Sequence, residues 1–444
     1  MTVSRESDLI DRPIAIRFDG LQPSILAIIQ SEMVDSLGVA WRAYAAYQVD
    51  ADGVLDLEQA SPVFGSFTEP GTAGFFWSMT PKTNLDFSAF KEAGPPPYEA
   101  GIKRGHRFGL PELIDVKAIE VQFRVEQNGA AVLEAPLRLS FVPEDVRSTP
   151  VRVGRVRGVL FEPEGAKGLP GVIQISGSGG GIYREDAALL ASHGFSVLAL
   201  GYFNYDDLSK HQMGVPIEYF EEAIYWFRSH LGHDRIGITG PSKGGEGSFV
   251  VAANLPDMIK AAVPIVPGDL YLCAADENGI PNAAWTRDGK PLPWAGTLED
   301  WEMVPEPLRV PKERVLFNAR MNLEPFYQDE EVYKRAAISV EKMQCPILII
   351  WGEDDQAWPS SMAVERLIKR LNAHCYKYPV ESYGEQGAGH FFTFPGFPTS
   401  LSDSILHSLL PIYMTMGGTP AATARLQRNG WRKMIDFFHE HLAA

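Results

Sequence analysis

The chain has 444 residues, of which 45% are hydrophobic and 22% charged, so it can bury more core than one ordinary domain holds. Its formal net charge of -16 repels phosphate backbones and anionic headgroups, which argues against nucleic acid and membrane surfaces as partners. No apolar run of about 18 residues occurs, so we expect neither a membrane span nor a signal peptide. The three cysteines lie far apart and form no metal or disulfide pattern, so we expect a cytoplasmic protein without metal or cofactor.

The first 146 residues are predicted to form a β-sandwich domain. Apolar and polar residues alternate on both sides of Asn128-Gly129, which is the strongest short signal for a hairpin. A second turn is predicted at Asp52-Gly53, after the run from Trp41 to Tyr47. The polar stretch from Pro143 to Pro150 marks the boundary with the domain that follows.

Residues 147–444 are predicted to form a doubly wound, mostly parallel α/β sheet. Short apolar runs typical of strands buried on both faces recur along this part of the chain, and helical patterns separate them. The runs are Val172–Ile175, Phe195–Leu200, Ile236–Thr239, Ala261–Val266 and Pro346–Trp351. A stretch without clear periodicity, about residues 268–337, is predicted to be an insertion that covers the site.

A serine flanked by glycines lies where one of these strands meets a helix. Gly240-x-Ser242-x-Gly244 has the form of a nucleophile elbow, in which a tight turn exposes the serine hydroxyl above the sheet. The N–H of Lys243, at the start of the helix, can then face a developing oxyanion. The alternative is that Ser242 only caps the helix.

A serine nucleophile needs a base and an acid, which in α/β-hydrolases follow it in the order acid, then histidine. Asp355 is the preferred acid because it stands three residues after Gly352 at the end of a buried strand, with Asp354 as its competitor. His390 follows the last predicted strand and is the preferred base. His374 is the other histidine in this interval, but it precedes that strand.

A glycine cluster after an earlier strand, Ser176 to Gly181, is predicted to supply a second oxyanion donor. Glycines let backbone N–H groups approach a ligand closely, and Ser178 or Gly179 is the expected donor. A phosphate cradle is the alternative, but the cluster lacks both the GxGxxG spacing and the P-loop Lys-Ser/Thr pair.

Motifs in order along nearly the whole chain resemble the acyl-CoA thioesterases and bile acid-CoA:amino acid N-acyltransferases. They are GVAWR from Gly38, FWSM from Phe76, VRVGRVRGVLFEPEG from Val151, SGSGGGIYREDAALLASHGFSVLALGYFNYDDL from Ser176, IEYFEEAIYWF from Ile217, GPSKGGE from Gly240, GEDDQAW from Gly352, GAGHFF from Gly387 and FFHEHL near the end. The resemblance implies an α/β-hydrolase domain after an all-β domain, with Ser242, Asp355 and His390 as catalytic triad.

The activity implied by this resemblance is hydrolysis of an acyl-CoA or other acyl thioester through an acyl-enzyme on Ser242. The alternatives are transfer of the acyl group to an amine or alcohol acceptor, an oxygen-ester hydrolase or peptidase, and a catalytically dead acyl-binding or scaffold protein. Members that conjugate bile acids have a cysteine as nucleophile, whereas this chain has Ser242, which favours water as acceptor.

Two further departures from the family concern the expected acyl pocket. The family's Pro-Pro after the catalytic histidine is Phe394-Pro395 here, and the insertion looks longer and brings in aromatic residues. These are Trp285, Trp294, Trp301 and Phe326, for which ordinary packing is the expected role.

Three charged residues near the motifs have expected roles outside the triad. Glu246 is expected to complement the helix N-terminus. Lys243 and Arg184 are expected to be surface charges, with CoA phosphates as the alternative partner.

Overall fold

The computed structural model describes residues 1–34, 40–81, 118–275, 280–304, 316–400, 405–406 and 413–443. Strands before residue 146 form two sheets that share no strand with the large sheet formed by later residues. The large sheet begins at Val146, beside the predicted boundary. The division into domains at residue 146 stays a prediction.

The N-terminal part is built from β-strands with one short helix. A sheet of three strands contains β1 (Thr2–Arg5), β2 (Ile14–Phe18) and β5 (Leu55–Asp56). A second sheet contains β3 (Leu26–Val34), β4 (Ala40–Gln48), β6 (Phe64–Gly65), β7 (Thr80–Pro81), β8 (Ala118–Gln127) and β9 (Ala130–Ser140), and helix α1 spans Gly74–Trp77.

The predicted hairpin at Asn128-Gly129 is confirmed, since these two residues join the antiparallel pair β8 and β9. Both have positive φ, 53° at Asn128 and 75° at Gly129, as the favoured two-residue hairpin turn requires. Along β8, Val121, Phe123 and Val125 are fully buried while the residues between them are exposed. The alternation therefore directs one face of the sheet into the core.

The large sheet has eight strands in an order that identifies the fold. The strands are β10 (Val146–Val153), β11 (Val156–Pro163), β12 (Gly171–Ile175), β13 (Ser196–Gly201), β15 (Ile236–Pro241), β16 (Ala261–Ile265), β22 (Ile347–Gly352) and β23 (Val380–Glu385). Their order across the sheet is β10-β11-β13-β12-β15-β16-β22-β23. From β13 to β23 all pairs are parallel, whereas β10 and β11 join antiparallel. This is an α/β-hydrolase sheet, as predicted.

Helices cover both faces of this sheet, which confirms the doubly wound prediction. On one face α2 (Arg184–Ala191) and α9 (Pro420–His441) share a core with the N-terminal strands. On the other face α3 (Ile217–Leu231), α4 (Lys243–Asn254) and α8 (Ser360–Ala373) form a second core. No helix in the described ranges is both long and apolar enough to cross a membrane.

The predicted insertion lies between β16 and β22, and its residues 276–279 and 305–315 are outside the described ranges. The remainder contains short elements, and it shares a small core with residues that follow β22. They are β17 (Ala274–Ala275), β18 (Pro281–Asn282), β19 (Trp285–Arg287), β20 (Lys290–Pro291), α5 (Leu298–Met303), β21 (Leu316–Phe317), α6 (Ala319–Gln328) and α7 (Glu330–Ala336). Further short strands are β14 (Val215–Pro216), which pairs with β19, and β24 (Ile405–Leu406) and β25 (Tyr413–Met414), which pair with each other.

Candidate active site

Ser242 stands between the last residue of β15 and the first residue of α4, as the elbow motif predicts. Its φ of 59° and ψ of -121° are rare for a residue with a side chain, and such a conformation costs about 1–3 kcal/mol. Backbone bonds hold it there: the Ser242 N–H donates to Ile265 at 2.9 Å, and its carbonyl accepts the N–H groups of Gly245 and Glu246. The half-buried side chain is therefore fixed at the top of the sheet.

The glycines on both sides of Ser242 are required by close backbone contacts. A Cβ on Gly240 would lie 2.6 Å from the carbonyl oxygen of Ile175, and a Cβ on Gly244 would lie 2.7 Å from that of Ser176. Both distances are shorter than a normal van der Waals contact, and a backbone oxygen cannot move away by changing a side-chain rotamer. The strand β12 thus passes too close to the elbow for any side chain at these two positions.

We expect Gly244→Ala to lower the free energy of unfolding by about 1–3 kcal/mol, because the new methyl group overpacks against a backbone carbonyl. Gly247→Ala is the matched control on the same helix, since the nearest atom to its Cβ would be the terminal Cδ1 of Ile175 at 2.8 Å and not a backbone atom. Urea denaturation of both variants measures the difference. Equal losses would contradict the assigned contact.

Two of the predicted site residues, a buried carboxylate and a histidine, are in direct contact. Asp355 is fully buried, and the Nδ1–H of His390 donates to its Oδ2 at 2.7 Å. Ser360 Oγ donates to the same oxygen at 2.6 Å, while the N–H groups of Ala357 and Trp358 donate to Oδ1 at 2.9 and 2.8 Å. With Nδ1 as donor, the neutral imidazole presents an unprotonated Nε2, which is the form that a general base requires.

The three predicted triad residues follow three parallel strands of one sheet. Ser242 follows β15, Asp355 follows β22 and His390 follows β23, with β16 between β15 and β22. The carboxyl ends of parallel strands meet at one edge of a sheet, where α/β proteins bind their ligands. The fold therefore places all three residues at the same edge.

The structure also distinguishes the predicted residues from their competitors. The Asp354 side chain is exposed and accepts hydrogen bonds from Gln356 Nε2 at 2.6 Å and the Gly418 N–H at 3.1 Å. His374 is exposed at the end of α8, where its ring bonds the carbonyl of Arg370. Of the two aspartates, it is Asp355 that contacts His390.

The predicted oxyanion residues lie on two segments. Lys243 is the first residue of α4, so its N–H has no acceptor within the helix. Ser178 and Gly179 lie in a turn closed by the bond from the Gly180 N–H to the Gly177 carbonyl at 3.0 Å, and the Gly179 carbonyl accepts from an asparagine side chain. Within this loop it is Gly177 that approaches the elbow, since a Cβ on it would lie 3.4 Å from the Ser242 Cβ.

The side chain of Lys243 points into the protein, contrary to both expectations for it. It is 4% exposed, and its Nζ donates to Glu246 Oε2 at 2.7 Å and to the Leu272 carbonyl at 2.8 Å. Glu246 is fully buried and also accepts the Trp285 indole N–H at 2.7 Å. Burial raises the pKa of Glu246, and Lys243 and Trp285 oppose that rise. The Glu246 carboxylate thus joins the elbow helix to the insertion rather than only complementing a helix end.

We expect Glu246→Ala to lower the free energy of unfolding by about 3–5 kcal/mol, because it leaves the buried Lys243 ammonium without its counter-charge. The matched control is Glu222→Ala, which breaks a 2.6 Å pair with Arg155 whose side chains are about half exposed. That change should cost less than about 1 kcal/mol. Urea denaturation measures both values, and a Glu246 variant as stable as the control would disprove the role of the pair.

The aromatic residues of the insertion are packed as expected. Trp285 is buried and stacks on Tyr202 with ring centroids 5.8 Å apart, and Trp301 meets Phe326 edge to face at 5.1 Å. Trp294 is partly buried against the same core as Trp285.

Phe394 and Arg184 lie in contacts that the sequence did not indicate. The ring of Phe394 packs against Phe141 of the N-terminal part at 5.9 Å. It therefore helps to join the two parts of the chain. Arg184 is the first residue of α2, and its guanidinium lies 6.0 Å from the centre of the Phe161 ring.

None of the three cysteines forms a disulfide. Burial raises the pKa of Cys273 to about 11 and that of Cys345 to about 12, so both thiols stay protonated near neutral pH. A protonated thiol is a poor nucleophile. Cys345 is buried and Cys273 is half-buried, whereas Cys375 is exposed.

Three residues at the site were missed by sequence reasoning. Ser360 contacts Asp355, the Trp358 ring lies 6.1 Å from the His390 ring, and the Tyr183 hydroxyl accepts the Gly177 N–H at 2.9 Å. Ser360 and Trp358 stand within five residues of the predicted acid, and that proximity was the available signal. Nothing in the spacing of Tyr183 indicated its contact.

Two family profiles match the chain. The profile described as BAAT / Acyl-CoA thioester hydrolase C terminal matches residues 215–444, and that described as Acyl-CoA thioester hydrolase/BAAT N-terminal region matches residues 11–153. Acyl-coenzyme A thioesterase 2, mitochondrial, of Rattus norvegicus is 32% identical over 441 residues, which is 98% of this chain and 87% of that protein. Acyl-coenzyme A thioesterase 1 of Rattus norvegicus is 31% identical over 439 residues, which is 97% of this chain and 94% of that protein.

Solved structures with a similar fold include an esterase from Pseudomonas putida, with a TM-score of 0.39, 15% identity, and coverage of 67% of this chain and 83% of that one. A dienelactone hydrolase from Anabaena variabilis has a TM-score of 0.34 and 15% identity, covering 67% of this chain and 99% of that one. Likeness at this level does not bear on the reaction.

Proposed function

Because the chain belongs to the BAAT and acyl-CoA thioester hydrolase family, we propose that it hydrolyses acyl-CoA thioesters through an acyl-enzyme on Ser242. The observation that carries the proposal is the 2.7 Å hydrogen bond between His390 Nδ1 and the buried carboxylate of Asp355, at the sheet edge where the elbow presents Ser242. A histidine oriented in this way is what makes a serine hydroxyl reactive.

In the acylation step, His390 Nε2 takes the Ser242 proton as Oγ attacks the thioester carbonyl carbon. Negative charge develops on the carbonyl oxygen, and the Lys243 N–H and the loop at Ser178 and Gly179 donate to it. The tetrahedral intermediate then expels the CoA thiolate, which receives the proton from His390. The acyl group remains as an ester on Ser242.

In the deacylation step, water takes the place of the thiol. His390 removes a proton from the water, whose oxygen attacks the acyl-serine, and the second tetrahedral intermediate returns the proton to Ser242. The Asp355 carboxylate accepts the hydrogen bond from His390 Nδ1 in both steps and stabilises the imidazolium that forms. The products are a carboxylic acid and the free thiol.

We propose water rather than an amine or alcohol as the acceptor, because the nucleophile is Ser242 and not the cysteine of bile acid-conjugating members. The net charge of -16 supports the further proposal that neither nucleic acid nor a membrane is a partner. A cytoplasmic location is likewise a proposal, supported by three cysteines without a disulfide.

A panel of acyl-CoA esters of increasing chain length, assayed for release of free thiol, tests the proposed function. Thiol release with stoichiometric free acid supports it, and mass spectra taken with glycine, taurine or an alcohol present would reveal transfer instead. The oxygen ester of the same acyl chain is the control for thioester preference. If no thioester is cleaved while Ser242 reacts with a fluorophosphonate, the proposed substrate class is wrong.

A further inference from the structure

The Tyr183 hydroxyl lies beside the nucleophile, next to the glycine cluster. The Gly177 N–H donates to the phenol oxygen at 2.9 Å. A Cβ on Gly177 would lie 3.4 Å from the Ser242 Cβ and 3.2 Å from that phenol oxygen. The Tyr183 hydroxyl and the Ser242 side chain therefore both lie close to Gly177.

This arrangement removes the Gly177 N–H from the possible oxyanion donors. A backbone N–H is a single donor, and that of Gly177 is used by the phenol oxygen. A phenol is both acceptor and donor, so the oxygen that accepts from Gly177 also carries an O–H bond. The hydrogen bond that it accepts polarises this O–H and strengthens it as a donor.

We propose that the Tyr183 hydroxyl is an additional oxyanion donor, acting together with the Lys243 N–H and the loop at Ser178 and Gly179. This inference rests on the proposed serine mechanism and adds a residue to it. As charge develops on the carbonyl oxygen, Tyr183 donates its proton as a hydrogen bond without transferring it, and the Gly177 N–H holds the phenol oxygen in place. Tyrosine side chains are among the groups that serve this role.

Hydrogen bonds hold the backbone of Tyr183 and the residue next to Gly177 in place before the reaction. Its carbonyl accepts the Ala187 N–H at 3.2 Å in the first turn of α2, a helix buried from Asp186 to Ala191. On the other side, the Tyr202 hydroxyl donates to the Ser176 carbonyl at 3.0 Å, next to Gly177. A donor placed in advance stabilises a transition state without reorganisation when the reaction occurs.

The contrary possibility is that Tyr183 blocks the Gly177 N–H and must leave before the oxyanion can bind there. The two roles give opposite signs in Tyr183→Phe, which removes the hydroxyl and keeps the ring. A donor predicts a fall in kcat of about 100-fold with KM changed less than about twofold. A block predicts an unchanged or higher kcat. Tyr225→Phe, at an exposed position on α3, is the control.

Transition-state binding separates catalysis from a merely structural role. We expect Tyr183→Phe to weaken inhibition by a trifluoromethyl ketone analogue of the acyl chain by about the same 100-fold, because that inhibitor forms an oxyanion on Ser242. Binding of an uncleavable acyl-CoA thioether should not change. Equal weakening of both ligands, or of neither, would overturn the proposal.

The rate at which a fluorophosphonate labels Ser242 tests Tyr183 independently of the substrate. Phosphonylation also places charge on an oxygen at this position, so we expect Tyr183→Phe to be labelled about 100-fold more slowly than the unmodified chain. Failure of the unmodified chain to cleave thioesters would defeat the proposed function and leave this comparison intact. Equal labelling rates would defeat the role of Tyr183 alone.

Discussion

Ser242→Ala is expected to lower kcat for acyl-CoA hydrolysis by about 10⁶-fold, the loss typical when the nucleophile of a Ser-His-Asp triad is removed. Without the hydroxyl there is no acyl-enzyme, and water must attack the thioester directly. Thiol release measures the loss. The melting temperature should be nearly unchanged. Alanine has a Cβ like serine, so the backbone strain at φ 59° is the same in both proteins, and the change removes only one half-buried oxygen.

Ser248→Ala is the matched control for this change. Ser248 lies on the same helix, and its buried hydroxyl donates to the Gly244 carbonyl at 2.8 Å within the helix. The control should keep wild-type turnover and covalent labelling, whereas Ser242→Ala should lose both. Turnover retained in Ser242→Ala, with the protein folded, would eliminate the acyl-enzyme mechanism.

The fold was largely predictable because its signals are local. The Asn128-Gly129 turn needs two residues that accept positive φ. The central strands of the large sheet, such as β12, β13, β15 and β16, are buried on both faces, which makes them short apolar runs. The short elements of the insertion, such as β19 and α7, gave no such signal. Their positions depend on contacts with the rest of the chain, among them the bond between Trp285 and Glu246.

The site was predictable where backbone geometry dictates residue type. Gly240 and Gly244 must lack side chains because β12 passes within contact distance, and this requirement marks Ser242 in the sequence. The direction of a long side chain is not dictated in this way. Lys243 was expected at the surface, yet its side chain points inward, because its ammonium group donates to the buried Glu246 carboxylate and the Leu272 carbonyl. That arrangement depends on Leu272, far along the chain.

Asp355→Asn is expected to lower kcat by about 10⁴-fold, since the amide imposes the wrong tautomer on the histidine. Asp355 Oδ1 accepts two backbone N–H groups, so the amide oxygen of asparagine must take that position. The NH₂ group then faces His390 and donates to Nδ1. The imidazole proton moves to Nε2, which can no longer accept the Ser242 proton. Steady-state kinetics and fluorophosphonate labelling both measure the loss.

Asp354→Asn is the matched control, one residue away and on an exposed side chain. Its partners are the Gln356 amide and the Gly418 N–H, neither of which contacts His390, so kcat should stay within about twofold of wild type. Both variants replace an aspartate by asparagine, and both remove one negative charge from the same turn after β22. A large loss in Asp354→Asn with near-normal activity in Asp355→Asn would reverse the assignment of the acid. A large loss in both variants would mean that His390 depends on the negative charge of the turn and not on the hydrogen bond that it donates to Asp355.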